Sequence, residues 1–192
     1  MVESTRHKES PSQTAGPYVH IGCLPNFLET GNVYSQDLGA TMYSAGGEGE
    51  PITLTCRLFD GAGAVIKDAM VEIWQADAQG RAPAPGEPFT GWGRQACDLT
   101  TGVFTFQTIK PGAIVSGALR QSPHISVWIV ARGINLGLHT RLYFPDEDNR
   151  DDPVLALLDH ARRTTLIAVQ KPAGYVFDIY LQGDTETVFF DV

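Results

Sequence analysis

The chain has 192 residues, 43% of them hydrophobic and 19% charged, which is enough apolar material for one substantial core. Its formal net charge of −8 argues against binding to nucleic acids or anionic membranes, because such proteins usually carry a basic surface. The abundance of glycine and proline, 20 and 12 residues, favours short strands joined by turns over long surface helices.

The N-terminal part of the chain falls into two segments of different composition. Residues 1–13 are polar and show no hydrophobic period, which predicts an extended arm. Residues 14–27, TAGPYVHIGCLPNF, mix apolar residues with glycine and proline in a pattern typical of neither a helix nor a regular strand. We therefore expect residues 1–31 to form an arm and an ordered segment that packs on a partner, followed by one domain over residues 32–192.

The main domain is predicted to be all-β after a glycine-rich loop over residues 32–50. The first strand shows the pattern clearly, because Ile52, Leu54 and Cys56 alternate with polar residues. One short helix is expected at DPVLALLDHARR, with Pro153 near its start and basic residues at its end. About eight short strands indicate a β-sandwich. They are predicted over residues 51–60, 69–77, 102–109, 124–132, 138–144, 165–170, 175–183 and 186–190, whereas residues 81–94 are predicted to be a loop.

The stretch QSPHISVW raises the question of a metal site. Residues two apart on a strand lie on the same face about 6.6 Å from each other, so two histidines at such positions could bind one metal ion. Here His124 is followed by Ser126. From the residues alone, His124 is either an ordinary half-buried histidine or the remnant of a metal site that this chain does not complete.

Several segments together resemble the intradiol ring-cleaving dioxygenase family. They are LTCRLFDGAGAVIKDAM, VEIWQADAQGRA, TIKPG, PHI and RLYF. In addition, TAGPYVHIG, ARGIN, LHTRLYF and ETVFFDV resemble the noncatalytic chain of those family members that are built from two homologous subunit types. The resemblance extends from about Ser12 to the C-terminus and implies a β-sandwich fold.

The resemblance also implies where the family's iron site should be. Members of the family hold a ferric ion with two tyrosinates and two histidines, and these positions are occupied here by Ala82, Ile114, His124 and Ser126. Gln121 stands where the catalytic chain has an arginine. Because alanine and isoleucine offer no donor atom, we expect this chain to bind no metal and to have no catalytic residues of its own. Fe(III) would then be carried by a homologous partner chain.

The resemblance further implies that this chain contributes substrate-binding residues to the partner's site, where an aromatic acid and O2 would meet. The expected residues are Thr14, Gly16, Pro17 and Tyr18 in the N-terminal segment, and Arg132 at the end of a strand. From the residues alone, TAGPY could equally be a turn that enters the domain, and Arg132 could form a surface salt bridge. The resemblance favours the substrate-binding interpretation.

The cysteines, the histidine spacing and the motif content limit the other functions that the chain could have. Cys23, Cys56 and Cys97 are odd in number and widely spaced, and neither a signal sequence nor a run of about eighteen apolar residues occurs, so we expect a soluble cytoplasmic protein. The other histidines lack ligand spacing, and no G-x-S-x-G motif indicates a hydrolase. The alternative function is a free-standing noncatalytic binding protein for aromatic acids.

Overall fold

The computed structural model describes residues 14–16, 18–29, 34–43 and 48–192. Pro17 and the predicted polar arm lie outside the described residues, and so does the expected domain boundary at residues 31 and 32. No helix in the described ranges is long and apolar enough to cross a membrane.

The described strands form two four-stranded sheets and a small hairpin, which confirms the predicted β-sandwich. The first sheet has the order β4-β1-β10-β9, and the second has the order β3-β2-β7-β8. The hairpin pairs β5 with β6. The strands are β1 (Pro51–Phe59), β2 (Ala69–Gln75), β3 (Trp92–Ala96), β4 (Phe104–Ile109), β5 (Ile114–Ser116), β6 (Leu119–Gln121), β7 (His124–Ala131), β8 (Leu138–Tyr143), β9 (Val169–Lys171) and β10 (Gly174–Tyr180).

The core lies between the inner faces of the two sheets. In β1 every second residue is buried, as the alternating sequence predicts. Leu54 pairs with Phe106 on one side and with Tyr175 on the other, the latter in a parallel β1–β10 pair. Each fully buried side chain of this size contributes about 1.5–3 kcal/mol relative to an exposed one. Inner-face residues of β7, including Ile125 and Ile129, complete the core from the second sheet.

Two helical regions lie outside the sheets. The prediction that residues 14–27 are irregular is wrong in part, because Tyr18–Cys23 form an α-helix, α1. Six residues are too few to show a helical hydrophobic period, and a tertiary contact from His20 Nε2 to the carbonyl of Ala69 at 3.2 Å holds the helix in place. The predicted C-terminal helix is replaced by three short pieces. They are the 3-10 helix Leu155–Leu157, the α-helix α2 (His160–Arg163) and the 3-10 helix Thr164–Leu166.

The strand predictions fail at four places. The first is the predicted strand over residues 165–170, where Thr164–Leu166 form a 3-10 helix and β9 begins only at Val169. Strand β3 lies partly within the segment predicted to be a proline- and glycine-rich loop. It has only five residues, too few to show a strand pattern, and it is defined by its pairing with β2. The β5–β6 hairpin was not predicted, since its strands have three residues each. Residues 186–190 form no strand, and there Phe190 makes only an isolated bridge to His139.

Candidate functional site

The four positions that the resemblance assigns to iron ligands lie together in the folded chain. Ala82, Ile114, His124 and Ser126 line one pocket of about 410 Å³. They come from three separate parts of the chain, namely the loop after β2, the start of β5 and the start of β7. The remaining lining residues are Trp74, Gln75, Ala76, Gly80, Pro83, Thr90 and Gly91.

A backbone hydrogen bond and a close approach of two backbones hold together the loops that carry positions 82 and 114. The N–H of Gly112 donates to the carbonyl of Asp77 at 2.8 Å. Gly80 has φ of +79°, and a Cβ at that position would collide with the carbonyl of Ala113. A side chain at Gly112 would in turn meet the carbonyl of Ala78 at 2.5 Å. Glycine is therefore needed at both positions, because only glycine allows this approach of the two backbones.

Asp77 shapes the loop after β2 from within. Its Oδ1 accepts hydrogen bonds from the N–H groups of Gln79 and Arg81 at 2.8 and 2.9 Å, and its Oδ2 accepts from Arg81 Nε at 2.8 Å. Although burial alone would raise the pKa of the Asp77 carboxyl, these hydrogen bonds lower it overall. The carboxylate therefore stays charged and fixes the part of the loop that leads to Ala82.

His124 is buried, with 5% of its surface exposed, and its imidazole has a defined orientation. Nδ1 lies 2.8 Å from the carbonyl of Ser122 and must carry the hydrogen, because a carbonyl oxygen can only accept. The Tyr143 ring packs at a centroid distance of 5.6 Å. Burial, followed by the nearby Arg141 guanidinium, lowers the pKa of His124, while the Ser122 carbonyl and Asp152 oppose this shift. At neutral pH the imidazole is therefore neutral, with its Nε2 lone pair free to accept a hydrogen bond.

Gln121, which the resemblance places where the catalytic chain has an arginine, has a partner within this chain. Its Oε1 accepts a hydrogen bond from Arg141 at 2.8 Å. Arg141 is the cross-strand neighbour of Ser126 on β8. The Arg141 guanidinium thus comes from the strand beside Ser126 and is engaged with the side-chain amide of Gln121.

The donor atoms around the pocket do not fit a ferric centre. His124 offers one imidazole, Ser126 and Thr90 offer neutral hydroxyls, and Ala82 and Ile114 offer nothing. Within the ranges that the structure describes, no three histidine, cysteine, aspartate or glutamate side chains are grouped to hold a metal ion. That this chain binds no iron stays a prediction, and its direct test is given below.

A network that sequence reasoning missed fixes Trp74 at the pocket. Glu72 is 5% exposed and forms an ion pair with Arg94 at 2.6 Å. Its Oε2 also accepts hydrogen bonds from the indole N–H groups of Trp74 and Trp92 at 3.3 and 3.2 Å. The two indole rings lie 5.8 Å apart. The signal in the sequence is the spacing of Glu72 and Trp74, which places both on one face of β2.

The predicted substrate-binding residues in the N-terminal segment and at the end of β7 lie near each other at a second location, away from the pocket. Thr14 Oγ1 accepts a hydrogen bond from the N–H of Gly133 at 2.7 Å, so the N-terminal segment lies beside the residue that follows Arg132. Tyr18 begins α1 and is 80% exposed. A Cβ at Gly16 would meet nothing within 4 Å, so no contact with the described residues requires glycine there.

Arg132 lies at the end of β7 with an exposed guanidinium. Its Nε is 3.2 Å from Asp68 Oδ2, and the two side chains are 76% and 49% exposed. Pairs as exposed as this one contribute little to stability because water screens them. The guanidinium is therefore available to a competing anion, and this second location is separate from the residues that line the pocket.

Comparisons with known proteins agree with the fold. A family model described as "Dioxygenase" matches residues 24–183. The protocatechuate 3,4-dioxygenase alpha chain of Pseudomonas putida is 44% identical, over 95% of this chain and 96% of that protein. The beta chain from Burkholderia cepacia is 35% identical, over 72% of this chain and 67% of its own length. The dioxygenase domain of a dioxygenase carbohydrate-binding protein fusion from Streptomyces sp. SirexAA-E is 26% identical, covers 93% of this chain and 100% of that one, and has a TM-score of 0.57. This chain therefore belongs to the intradiol dioxygenase family.

Proposed function

We propose that this chain is the noncatalytic alpha subunit of a protocatechuate 3,4-dioxygenase. It completes the active site of a homologous beta subunit that carries Fe(III). The assembled cytoplasmic enzyme cleaves protocatechuate with O2 between the two hydroxylated carbons and yields 3-carboxy-cis,cis-muconate. One observation carries this proposal: the positions equivalent to the iron ligands converge on one pocket but hold Ala82, Ile114 and Ser126 beside His124. A chain with this pocket needs a partner to supply the metal.

The likeness to both chain types supports the assembly of two homologous subunits. The alpha-type relative is matched over nearly its whole length, and a beta-type relative is matched at lower identity. The proposed contribution of this chain to the shared site is the surface around Thr14, Tyr18 and Arg132. The hydrogen bond between Thr14 and Gly133 supports this contribution, because it brings the N-terminal segment next to the exposed guanidinium-bearing residue Arg132. Gly16 belongs to the same surface, and so does Pro17, which lies outside the described residues.

Iron content is the first test. Expressed alone, the full chain is expected to contain no stoichiometric ferric iron and to lack the visible absorption of iron-bound tyrosinate. Expressed with its beta subunit, the complex should contain one iron per pair of chains. Metal analysis and absorption spectra of the two preparations measure this. One tightly bound iron in each isolated chain would contradict the proposal.

Co-purification distinguishes the alpha-subunit proposal from the alternative, a free-standing binding protein for aromatic acids. If this chain is the alpha subunit, it should co-purify with the iron-bearing homologue and the complex should turn over protocatechuate. A chain that is monodisperse alone and never associates with such a homologue would favour the alternative.

The N-terminal segment provides a second test. Removing residues 1–17 should leave the sandwich folded but lower the activity of the complex, because Thr14 contacts Gly133 at the domain surface and not the core. Thr14→Val should lower kcat/KM by about 2- to 13-fold, the range expected for one hydrogen bond of 0.5–1.5 kcal/mol. Steady-state kinetics of the complex measure both changes.

Thr14→Ser is the matched control for the single substitution. It keeps the hydroxyl that accepts from Gly133 and should retain most of the activity. Circular dichroism of each variant shows whether the sandwich is intact. Unchanged kinetics in the truncated complex would show that the segment takes no part in the shared site.

A further inference from the structure

The pocket around His124 retains two polar atoms without a protein partner. His124 Nδ1 is engaged by the Ser122 carbonyl, whereas Nε2 has no hydrogen-bond partner among the residues that the structure describes. The hydroxyl of Ser126 likewise has none in the described part of the chain. Because these residues are two apart on β7, both side chains project from the same face of the strand.

The other polar side chains of the pocket have partners. Gln75 Nε2 donates to the carbonyl of Ile109 at 2.8 Å, and its Oε1 accepts from Thr108 at 2.8 Å. The Thr90 hydroxyl lies 3.1 Å from the carbonyl of Met42 and 3.0 Å from that of Trp92. Among the described side chains that line the pocket, a ligand would therefore find two unsatisfied polar groups, one acceptor and one hydroxyl, on the same face of β7.

The rest of the lining is apolar and uncharged. Trp74, Ala82, Pro83 and Ile114 provide carbon surface, and none of the lining residues is an aspartate, glutamate, lysine or arginine. Trp74 is held by Glu72 through its indole N–H, so this wall is fixed before any ligand arrives. A planar apolar body fits such walls, and the absence of lining charges among these residues favours a neutral ligand over an anion.

We propose that this pocket binds a small neutral phenol whose hydroxyl donates a hydrogen bond to His124 Nε2 and accepts one from Ser126. The ring packs against Trp74, Pro83 and Ile114. A volume of about 410 Å³ accommodates a single ring with one substituent, since a cavity of about 150 Å³ already holds benzene. The site is noncatalytic and distinct from the surface around Thr14 and Arg132. It does not depend on the proposed role of the chain in an assembly.

The experiment uses the full chain and two probes of equal ring size. 4-Fluorophenol and fluorobenzene are titrated with the protein and observed by 19F NMR, with Trp fluorescence as a second readout because Trp74 lines the pocket. 4-Fluorophenol is expected to bind saturably and about 2- to 13-fold more tightly than fluorobenzene, the range for a net hydrogen bond of 0.5–1.5 kcal/mol.

Four substitutions test whether the probes bind in this pocket. Ala82→Phe fills it and should weaken binding of both probes at least tenfold, whereas Ala84→Phe, two residues along the same loop and outside the lining, should not. His124→Phe removes the acceptor and should abolish the preference for 4-fluorophenol while fluorobenzene still binds. Ser126→Ala, at a half-buried surface position, should reduce the preference and carries little risk to folding.

Each outcome decides the proposal. A hydroxyl preference that His124→Phe or Ser126→Ala diminishes, together with loss of binding in Ala82→Phe alone, supports it. Absence of saturable binding, equal affinity for the two probes, or equal effects of Ala82→Phe and Ala84→Phe would overturn it. Should His124→Phe not fold, the comparison of Ser126→Ala with the unmodified chain decides the hydrogen-bonding part.

Discussion

Replacement of Asp152 by alanine should lower the free energy of unfolding by about 3–5 kcal/mol. The Asp152 side chain belongs to a fully buried residue and accepts four hydrogen bonds. The donors are the N–H groups of Ser122, Val154 and Leu155, at 2.8, 2.9 and 3.0 Å, and the Tyr143 hydroxyl at 3.1 Å. Alanine would leave several donors buried and unpaired, which costs far more than the loss of an exposed contact.

Chemical denaturation monitored by Trp fluorescence and circular dichroism measures this change. Tyr143→Phe, which removes one of the four donors, should cost about 1 kcal/mol. Asp148→Ala is the matched surface control, because Asp148 pairs with Arg150 in an exposed contact and should leave the transition unchanged. A smaller loss for Asp152→Ala than for Tyr143→Phe would show that the network around Asp152 is not what holds this region.

The position of Asp152 connects this stability effect to the pocket. Asp152 fixes the N–H of Ser122, and the carbonyl of Ser122 holds the imidazole of His124. Loss of the carboxylate should therefore also loosen the orientation of His124. Destabilised variants retaining a folded fraction would then show a weaker preference of the pocket for a hydroxylated ring.

Arg132→Ala in the assembled enzyme should lower kcat/KM for protocatechuate by about ten- to a hundredfold. The proposed role of the guanidinium is a charge-assisted contact with the substrate carboxylate. In the isolated chain Arg132 pairs with Asp68 at 3.2 Å, with both side chains exposed, so exchange of one carboxylate for another costs little. Steady-state kinetics of the variant complex measure the effect.

Catechol separates recognition from general damage, because it lacks the carboxylate and its turnover should change much less. Asp68→Asn is the matched control, since it frees Arg132 without removing the cation and should keep activity toward protocatechuate. Iron content should be equal in all variants, because the metal is proposed to belong to the beta subunit. Equal losses for the two substrates, or no loss for either, would assign Arg132 to a surface ion pair alone.

Part of the fold could be predicted because it depends on patterns within short stretches of the sequence. The alternation of Ile52, Leu54 and Cys56 predicts a strand with one buried face, and the structure has that strand as β1. Strand β3 and the hairpin of β5 and β6 could not be predicted, because segments of three to five residues carry too little pattern and depend on their neighbours for pairing. Helix α1 was missed for a similar reason, since His20 contacts a residue 49 positions away.

The sequence by itself determined the family resemblance, the β-sandwich and the residue types at positions 82, 114 and 126. Residue identity and strand periodicity can both be recognised within short stretches of the chain. Only the tertiary structure decided that Ala82, Ile114, His124 and Ser126 share one pocket, since these residues come from three distant segments. The same holds for the imidazole orientation that leaves Nε2 free, and for the pairing of Arg132 with Asp68. Contacts between residues far apart in the chain depend on how the sheets pack, and no local pattern specifies them.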